Sequence, residues 1–247
     1  MRNYFEYFFD DSVRSMLINY YERLESVSKT SMRGSHHMLK IKLKIKRMMK
    51  RISINPNDII LDVGCSEGGF LFELANCYKR GVGLDISDTL IIRNNERAAE
   101  LMQSENLQFK YFDGINIGFE DTFDKVVMFD VLEHVFDPDQ LINSIYNSLK
   151  KGGVLVIQVP TSGWLSEMIF GKYHEGHLRY YDDIYMSKYL EKFGFEVMVI
   201  DVYNSVPFAS HFLRFPKIYN LLNIICGIIP PRMFPYFGSI MAFSKKP

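Results

Sequence analysis

Short apolar runs alternate with stretches of helical spacing along this chain, and that alternation restricts its fold more than any other feature. The runs at residues 59–63 (IILDV), 81–86 (GVGLDI) and 123–129 (FDKVVMF) have the length and composition of buried strands. Further strands are predicted at residues 107–112, 153–159, 195–203 and 237–244, and helices at residues 66–78, 88–102, 138–149 and 184–193. Such an order predicts an α/β fold, a doubly wound, seven-stranded and mostly parallel sheet covered on both faces.

The same pattern divides the chain into four segments. Residues 1–51 precede the first strand and are expected to form a helical cap that ends in a basic helix. Residues 52–203 hold the core, and residues 237–247 add its final strand. The segment 204–236 is rich in Phe, Tyr, Ile and Pro and is longer than a structural loop needs, so a lid inserted between the last two strands is expected.

Composition excludes several classes of protein. With 29 Lys and Arg against 29 Asp and Glu, no global charge marks a nucleic-acid or membrane binder. The three cysteines lack CxxC spacing, which argues against a cysteine zinc site and favours a reducing, cytoplasmic location. Residues 1–10 carry acids where a signal peptide needs an apolar core. The apolar residues 218–231 are too few for a membrane span, and contact with a membrane surface is an alternative without further support.

The stretch MLKIKLKIKRMMKR at residues 38–51 is strongly basic. Its alternation has the period of a strand, but its length and its Met, Lys and Leu content favour a helix. The lysines are interpreted either as a solvated face or as a patch that steers an anionic substrate or lipid headgroup. His36 and His37, just before it, belong either to a capping turn or to the open face of the site.

The glycine-rich loop LDVGCSEGGF at residues 61–70 lies between a predicted strand and a predicted helix. Such a loop brings backbone N–H groups close to a ligand. No Lys or Arg occurs between residues 60 and 78, whereas Asp62 and Glu67 are carboxylates. A pyrophosphate would meet like charges here, at an unfavourable cost. The loop is therefore predicted to hold a cofactor with a cationic centre and no phosphate.

Acceptor groups follow the next two strands. Asp85 ends the second strand and can accept from both hydroxyls of an unphosphorylated ribose. Asp113 and Gly114 follow the third strand, where a carboxylate can accept from the exocyclic amine of adenine. Turn formation explains any one of these residues, but their succession favours a nucleoside site, which leaves both NAD and adenosine open.

The fourth strand ends in FDVLEHVFDP at residues 129–138. Together with ILDVGCSEGG, GVGLD, SLKKGGVLVIQVP and YLEKFGFEVMVID, this stretch resembles the class I S-adenosylmethionine-dependent methyltransferases over about residues 55–203. The similarity is strongest to the branch that methylates small molecules such as quinone precursors, sugars and secondary metabolites. The resemblance implies a Rossmann-like methyltransferase core, S-adenosyl-L-methionine as cofactor and a small-molecule methyl acceptor.

Residue roles follow from this resemblance by position. The residues expected on the methionine side of the cofactor are Asp62, Gly64, Ser66 and Gly68. Those expected elsewhere on the cofactor are Asp85 at the ribose, Asp113 and Gly114 at the adenine, and Asp130, Val131 and Leu132 near the sulfonium. Cys65 and Ile86 complete the predicted cofactor site. Ser66 departs from the usual G-x-G-x-G pattern and adds a small side chain whose hydroxyl can reach the methionine carboxylate.

Two histidines are candidate catalytic bases. His134 lies just past the fourth strand and either takes a proton from the acceptor or packs the loop. His177 begins an H-L-R-aromatic stretch that borders the acceptor pocket in the resembled family. His174, Glu175 and His177 are metal-ligand types, but they lack helical i, i+4 spacing, so no metal is predicted.

Three other functions are weighed against methyl transfer. An NAD-dependent oxidoreductase or epimerase is disfavoured by the acidic loop and by the lack of a Tyr-x-x-x-Lys pair. A nucleic-acid methyltransferase is disfavoured by the missing Asp/Asn-Pro-Pro-aromatic motif, although the lysine-rich stretch keeps it open. A non-catalytic cofactor-binding partner of another enzyme is the third. The expected reaction is methylation at oxygen or nitrogen of a small molecule, with a phosphorylated, sugar-linked or lipid-linked cell-surface precursor favoured by the lysine patch. The sequence gives no prediction of oligomeric state.

Overall fold

A computed structural model describes residues 32–103, 105–161, 177–204, 218, 221 and 238–247, without the side chains of 32–37 and 204. Three features of the sequence analysis lie outside the described residues. These are the cap before residue 32, the lid except for residues 204, 218 and 221, and the candidate metal ligands His174 and Glu175. The side chains of His36 and His37 are also outside them, although their backbone is helical.

Helices and strands alternate through the core. The strands are β1 Ile59–Val63, β2 Arg80–Asp85, β3 Leu107–Tyr111, β4 Phe123–Phe129, β5 Leu149–Pro160, β6 Glu196–Asn204 and β7 Gly238–Lys245. The helices are α1 Met32–Met48, α2 Gly69–Glu73, α3 Asp88–Glu100, α4 Pro138–Ser148 and α5 Asp183–Lys192, with a short 3₁₀ turn at Leu132–His134.

The seven strands form one sheet in the order β3-β2-β1-β4-β5-β7-β6. The strands from β3 to β5 pair in parallel, whereas β7 runs antiparallel to both of its neighbours, β5 and β6. The predicted α/β, mostly parallel sheet is thereby confirmed. The chain reverses its direction of winding between β1 and β4, and ligands of such sheets bind beyond the carboxyl ends of these strands.

Each face of the sheet carries its own hydrophobic cluster. Val126 and Met128 of β4 face the side covered by α4 and α5, while Val127 and Phe129 face the opposite side. This period of two explains why β4 reads as a continuous apolar run. Helix α1 covers the second face through the residues Ile41, Ile45 and Met48. The basic stretch is therefore helical, as predicted, and its apolar side forms part of the core.

Two predicted elements of the core have ends that differ from the structure by three residues or more. The helix expected over residues 66–78 spans only Gly69–Glu73, because the chain turns at Leu74 to reach β2 at Arg80. Strand β5 begins four residues before its predicted start, and Leu149 pairs with Phe123 ahead of a register shift. Gly152 lies in this irregular stretch, and its φ of 80° is a conformation that favours glycine. None of the helices among the described residues is long and apolar enough to cross a membrane.

Candidate functional site

The glycine loop after β1 has a backbone that few side chains would tolerate. Gly64 and Gly68 have φ values of 71° and 69°, and Ser66 between them has a φ of 49°. The Gly64 N–H donates to the Leu84 carbonyl at 2.8 Å. A Cβ built on Gly64 would lie 2.3 Å from Cγ2 of Val131. The loop therefore lies directly against the end of β4, with no room for a larger residue at position 64.

Ser66 is fixed through its backbone on two sides. Its N–H donates to Oδ2 of Asp85 at 2.8 Å, and its carbonyl accepts from the Asn94 side-chain amide at 2.7 Å. Asp85 also accepts from the Ser87 N–H, at 3.1 Å to Oδ1. Both oxygens of Asp85 thus bind backbone N–H groups and fix the loop after β1 against the end of β2. Asn94 was not predicted as a site residue. The sequence signal for it is a polar residue at a buried position of α3, where an apolar residue is the norm.

Asp62 is the buried acid of the site. Only 4% of the residue is exposed. Burial, with a contribution from Asp85 and an opposing one from Lys44, raises the pKa of Asp62 to about 7. This carboxyl group therefore titrates near neutral pH, and a neighbouring cation would favour its charged form.

Cys65 is also buried, and its side chain lies towards the sheet. A Cβ built on Gly83 of β2 would come within 2.9 Å of the Cys65 Sγ atom. Burial raises the pKa of this thiol well above its usual value, with further contributions from Asp62 and Asp85. The thiol thus remains protonated, and the part of Cys65 best placed to meet a ligand is its backbone.

The turn after β3 lies beside the residue that follows β2. Oδ1 of Asp113 accepts from the N–H groups of Ile115 and Asn116, at 2.9 and 2.8 Å, and closes a tight turn. Gly114, within that turn, has a φ of 88°, and the nearest atom to a Cβ built there is Cγ2 of Ile86, at 4.0 Å. Ile86, predicted as part of the cofactor site, therefore lies next to Gly114, one of the two residues predicted at the adenine.

Asp130 follows β4 with a φ of 56° and is held by two partners. Gln158 of β5 donates to Oδ1 at 3.1 Å, and the Lys44 ammonium of α1 donates to Oδ2 at 2.7 Å. The same ammonium lies 5.4 Å from the centroid of the Phe129 ring. Desolvation raises the pKa of Asp130, but the charge and hydrogen bond of Lys44, with the bond from Gln158, outweigh it and bring the pKa below its usual value. Asp130 is therefore ionised and paired with the ammonium of Lys44 at this end of β4.

Lys44 is a site residue that sequence reasoning missed. Its side chain is 13% exposed, whereas the neighbouring Lys40, Lys42 and Lys46 are exposed. Lys42 pairs with Glu73 at 3.2 Å. The lysine-rich stretch thus combines a solvated face with one ammonium that enters the site. Residue types alone do not distinguish Lys44 from its neighbours, because the distinction comes from the side of α1 that faces the sheet.

The backbone of the turn after β4 completes this edge. Val131 lies against the glycine loop, whereas the Leu132 side chain is fully buried in the core. The contribution of Leu132 to a cofactor site is therefore restricted to its backbone.

The two candidate histidines meet although 43 residues separate them. The rings of His134 and His177 lie edge to face, with centroids 4.8 Å apart and an angle of 64° between their planes. Three hydrogen bonds hold the segment of His177 against the turn of His134. The Leu178 N–H donates to the Glu133 carbonyl at 2.8 Å, and Arg179 donates to the Val135 and Phe136 carbonyls. The sequence prediction of two separate candidates thus becomes one cluster.

Glu133 lies behind these histidines. It is 1% exposed, and neither carboxylate oxygen has a hydrogen-bond partner among the described residues. Its Oε1 atom lies 3.7 Å from Nε2 of His134, and one ligand-type atom from each of Glu133, His134 and His177 lies within 4.8 Å of the others. Burial, followed by the charge of Asp130, raises the pKa of Glu133 well above its usual value. In the sequence, only the position of this Glu among the apolar residues of VLEHV, residues 131–135, indicates that it is buried.

These residues fit the cofactor that the sequence resemblance implies. No Lys or Arg lies in the glycine loop, and the half-buried Asp85 ends β2. The buried carboxyl group of Asp62 lies on β1, and that of Asp130, paired with Lys44, follows β4. Carboxylates suit the ammonium and sulfonium of such a cofactor. The groups that would hold it are Asp62, Asp85, Asp130 and the backbone of residues 64–68.

Comparison with known proteins adds an independent line of support. A family model described as a methyltransferase domain matches residues 35–199. A sterol 24-C-methyltransferase of Eremothecium gossypii is 30% identical over 166 residues, which is 60% of this chain and 43% of that protein. A phosphoethanolamine N-methyltransferase 2 of Caenorhabditis elegans is 31% identical over 149 residues, 60% of this chain and 32% of that protein. The chain thus covers less than half the length of either relative.

The fold is also found among solved structures. The crystal structure of a protein described as a putative methyltransferase from Bacillus halodurans superposes with a TM-score of 0.65 at 17% identity. The match covers 82% of this chain and 98% of that one. At such low identity the likeness establishes the architecture, and the residues at the strand ends must supply the chemistry.

Proposed function

Because the chain belongs to the class I S-adenosylmethionine-dependent methyltransferases, we propose that it methylates an oxygen or nitrogen atom of a small molecule. The observation that carries this proposal is the acidic glycine loop, whose Ser66 N–H is bound by Asp85 at 2.8 Å. A loop without cations suits a cofactor that lacks phosphate. The bound cofactor supplies a methyl group activated by a sulfonium.

The chain's own residues orient the two reactants. Asp62 and Asp130 provide carboxylates on either side of the loop, and Asp85 lies between the loop and α3. Electrostatic attraction by these groups fixes the cationic end of the cofactor near the turn after β4. Much of the rate of an in-line transfer comes from such positioning.

The histidine cluster provides the proton acceptor. An acceptor hydroxyl or protonated amine must lose a proton as its bond to carbon forms. His134 and His177 lie at the end of β4, beside the Asp130 edge, and imidazole titrates in the range needed. One of these rings takes the proton, and the other packs against it.

An anionic acceptor is the favoured class. Lys40 is exposed on α1 one turn before Lys44, and Lys44 reaches Asp130 at the site. These ammonium groups would attract a phosphate or diphosphate. A phosphorylated, sugar-linked or lipid-linked precursor is therefore proposed, and the relative named for phosphoethanolamine methylation supports this choice. The free thiols Cys65 and Cys77 fit a location in the reducing cytoplasm.

Thermal unfolding with different cofactors tests the proposal directly. At a hundredfold excess over Kd, S-adenosylmethionine or S-adenosylhomocysteine is expected to raise Tm by about 5 to 10 °C. Stabilisation by NADH without an effect of S-adenosylmethionine would instead indicate the oxidoreductase alternative.

The acceptor is identified by mass spectrometry. Protein and methyl-labelled cofactor are incubated with a small-molecule extract, and a compound that gains one labelled methyl group identifies the substrate. Labelled nucleic acid in a parallel incubation, without any labelled small molecule, would favour the nucleic-acid alternative.

A further inference from the structure

We propose that Lys44 is a displaceable counter-ion of Asp130: the sulfonium of the bound cofactor takes its place, and the released ammonium binds an anionic group of the methyl acceptor. This inference rests on the proposed function, in which the sulfonium lies near the turn after β4. It gives Lys44 a role in the order of binding, because its charge becomes available to an acceptor only when the charged cofactor is present.

The pair of Lys44 and Asp130 is close, and its carboxylate is accessible. The ammonium lies 2.7 Å from Oδ2, and the Lys44 side chain is 13% exposed. The Asp130 side chain is 46% exposed, so a ligand can reach the carboxylate. Gln158 donates to the other oxygen, Oδ1, at 3.1 Å. The carboxylate therefore keeps its orientation through Gln158 while the partner of Oδ2 is exchanged.

The ammonium of Lys44 also lies among the other acids of the site. Burial raises the pKa of Asp62 and of Glu133, and in both cases the charge of Lys44 opposes that rise. The same ammonium is 5.4 Å from the centroid of the Phe129 ring. Lys44 thus supplies positive charge in the free protein to the region where the proposed cofactor brings a cation of its own.

The charge on the cofactor decides which cation Asp130 holds. S-adenosylmethionine carries a sulfonium, whereas S-adenosylhomocysteine, which has one methyl group fewer, carries a neutral sulfur. Two cations that compete for one carboxylate repel each other, and a partly exposed lysine–carboxylate pair is weak enough to exchange. On methyl transfer the bond between carbon and sulfur breaks, and its electron pair stays on the sulfur. Lys44 then returns to Asp130, because the competing charge has gone.

A released ammonium suits an anionic acceptor. While Lys44 is bound to Asp130, the pair is neutral and attracts an anion only weakly. When the sulfonium has replaced it at Asp130, the charge of Lys44 is available to a phosphate, and the Phe129 ring still favours a cation nearby. An anionic acceptor is therefore bound more tightly before methyl transfer than after it. By linkage, an anion must also strengthen the binding of S-adenosylmethionine more than that of S-adenosylhomocysteine.

Calorimetry of the full chain tests the exchange without a known acceptor. The Kd values of S-adenosylmethionine and S-adenosylhomocysteine are measured at about pH 8, where Asp62 is ionised. Lys44→Met removes the competing ammonium, so the affinity for S-adenosylmethionine relative to S-adenosylhomocysteine should rise about three- to tenfold. Lys44→Arg keeps the charge and should keep the wild-type ratio. Lys46→Met, on the exposed side of α1, is the matched control and should also leave the ratio unchanged.

Inorganic pyrophosphate is the probe for the released ammonium. The wild type should bind it about five- to tenfold more tightly in the presence of S-adenosylmethionine than of S-adenosylhomocysteine. Lys44→Met should bind it equally in both complexes. Vesicles of phosphatidylcholine and phosphatidic acid provide a second source of phosphate. Sedimentation with these vesicles that depends on the sulfonium and on Lys44 would indicate a lipid-linked acceptor, whereas a response to pyrophosphate alone would indicate a soluble one.

Three results would overturn the inference. They are a cofactor ratio that Lys44→Met leaves unchanged, equal affinity of the two wild-type complexes for pyrophosphate, and a difference in pyrophosphate affinity that persists in Lys44→Met and is thus due to the sulfonium alone. Where Lys44→Met does not fold, Lys44→Gln replaces it, and the comparison of the two wild-type complexes needs no variant. A wild type that binds neither S-adenosylmethionine nor S-adenosylhomocysteine would instead contradict the proposed function.

Discussion

At the scale of single residues, Asp62 shows how burial converts an ordinary acid into a group that responds to neutral pH. The pKa of Asp62 is raised to about 7, first by burial and then by Asp85. A buried acid with a raised pKa is neutral below that value, so the charge that attracts the cationic end of a cofactor is present only above it. The stability of the free protein changes in the opposite direction. Between about pH 4 and 7 this carboxyl group is ionised in the unfolded chain but protonated in the folded protein, so the free energy of unfolding falls as pH rises.

The affinity for S-adenosylhomocysteine is accordingly expected to depend on pH. Its Kd should rise up to about tenfold for each pH unit below 7 and level off above 8, as measured by calorimetry. Asp62→Asn should bind weakly and without this pH dependence. Glu67→Gln, which removes the exposed acid of the same loop, is the control and should retain the wild-type profile.

Gly64 provides the second prediction at this scale. Its φ of 71° disfavours a side chain, and a Cβ would also lie 2.3 Å from Val131. Gly118 has a φ of 69° with nothing within 4 Å of a Cβ built there, so it separates backbone strain from steric conflict. Gly118→Ala should cost about 1 kcal/mol of unfolding free energy, and Gly64→Ala at least about 2 kcal/mol, by urea denaturation. Equal losses in the two variants would show that the loop moves away from Val131 without cost.

At the scale of elements, the contact of Lys44 with Asp130 ties α1 to the carboxyl end of β4. The two atoms are 2.7 Å apart, and the Asp130 side chain is 46% exposed, so solvent screens part of the attraction. The pair connects the start of the described chain to the end of β4, where we propose that the sulfonium binds. Helix α1 thus serves the site as well as the core.

Lys44→Met tests this connection. Loss of the pair should lower the unfolding free energy by about 1 kcal/mol at pH 7. Since the pKa of Asp130 is below its usual value, the contribution is present above about pH 4 and is lost as pH falls through the folded-state pKa. The difference between wild type and Lys44→Met should therefore vanish at low pH in urea denaturation. Lys46→Met, on the exposed side of the same helix, should match the wild type throughout.

At the scale of the whole molecule, one sheet organises every part of the site. Parallel strands β1, β2, β3 and β4 end at the same edge, so the segments that follow them lie side by side, although β1 ends at Val63 and β4 at Phe129. On one face of the sheet, residues from both ends of the described chain belong to the same hydrophobic cluster. They are Ile41 and Ile45 of α1 and Met241 and Phe243 of β7. The cap expected over residues 1–51 stays a prediction for residues 1–31.

Local pattern determined most of the architecture. Runs such as IILDV and FDKVVMF need burial on both sides, and that requirement alone predicts a covered parallel sheet. The start of α3 is equally local, because the Ser87 side chain accepts from the Leu90 N–H and caps the helix. The extent predicted for the helix of residues 66–78 was wrong. Leu74 and Ala75 are buried as a helical pattern requires, but their backbone is not helical.

By itself, then, the sequence determined the sheet, the glycine loop with its acids and the kind of cofactor, since all of these depend on residue types at short spacing. Only the tertiary structure decided that Lys44 reaches Asp130 and that Glu133 lies beside both histidines. The physical reason is that burial and long-range proximity set the charge of these groups. Neither quantity is a property of a residue or its neighbours in sequence, because both arise when α1 and residues 177–181 pack against the turn after β4.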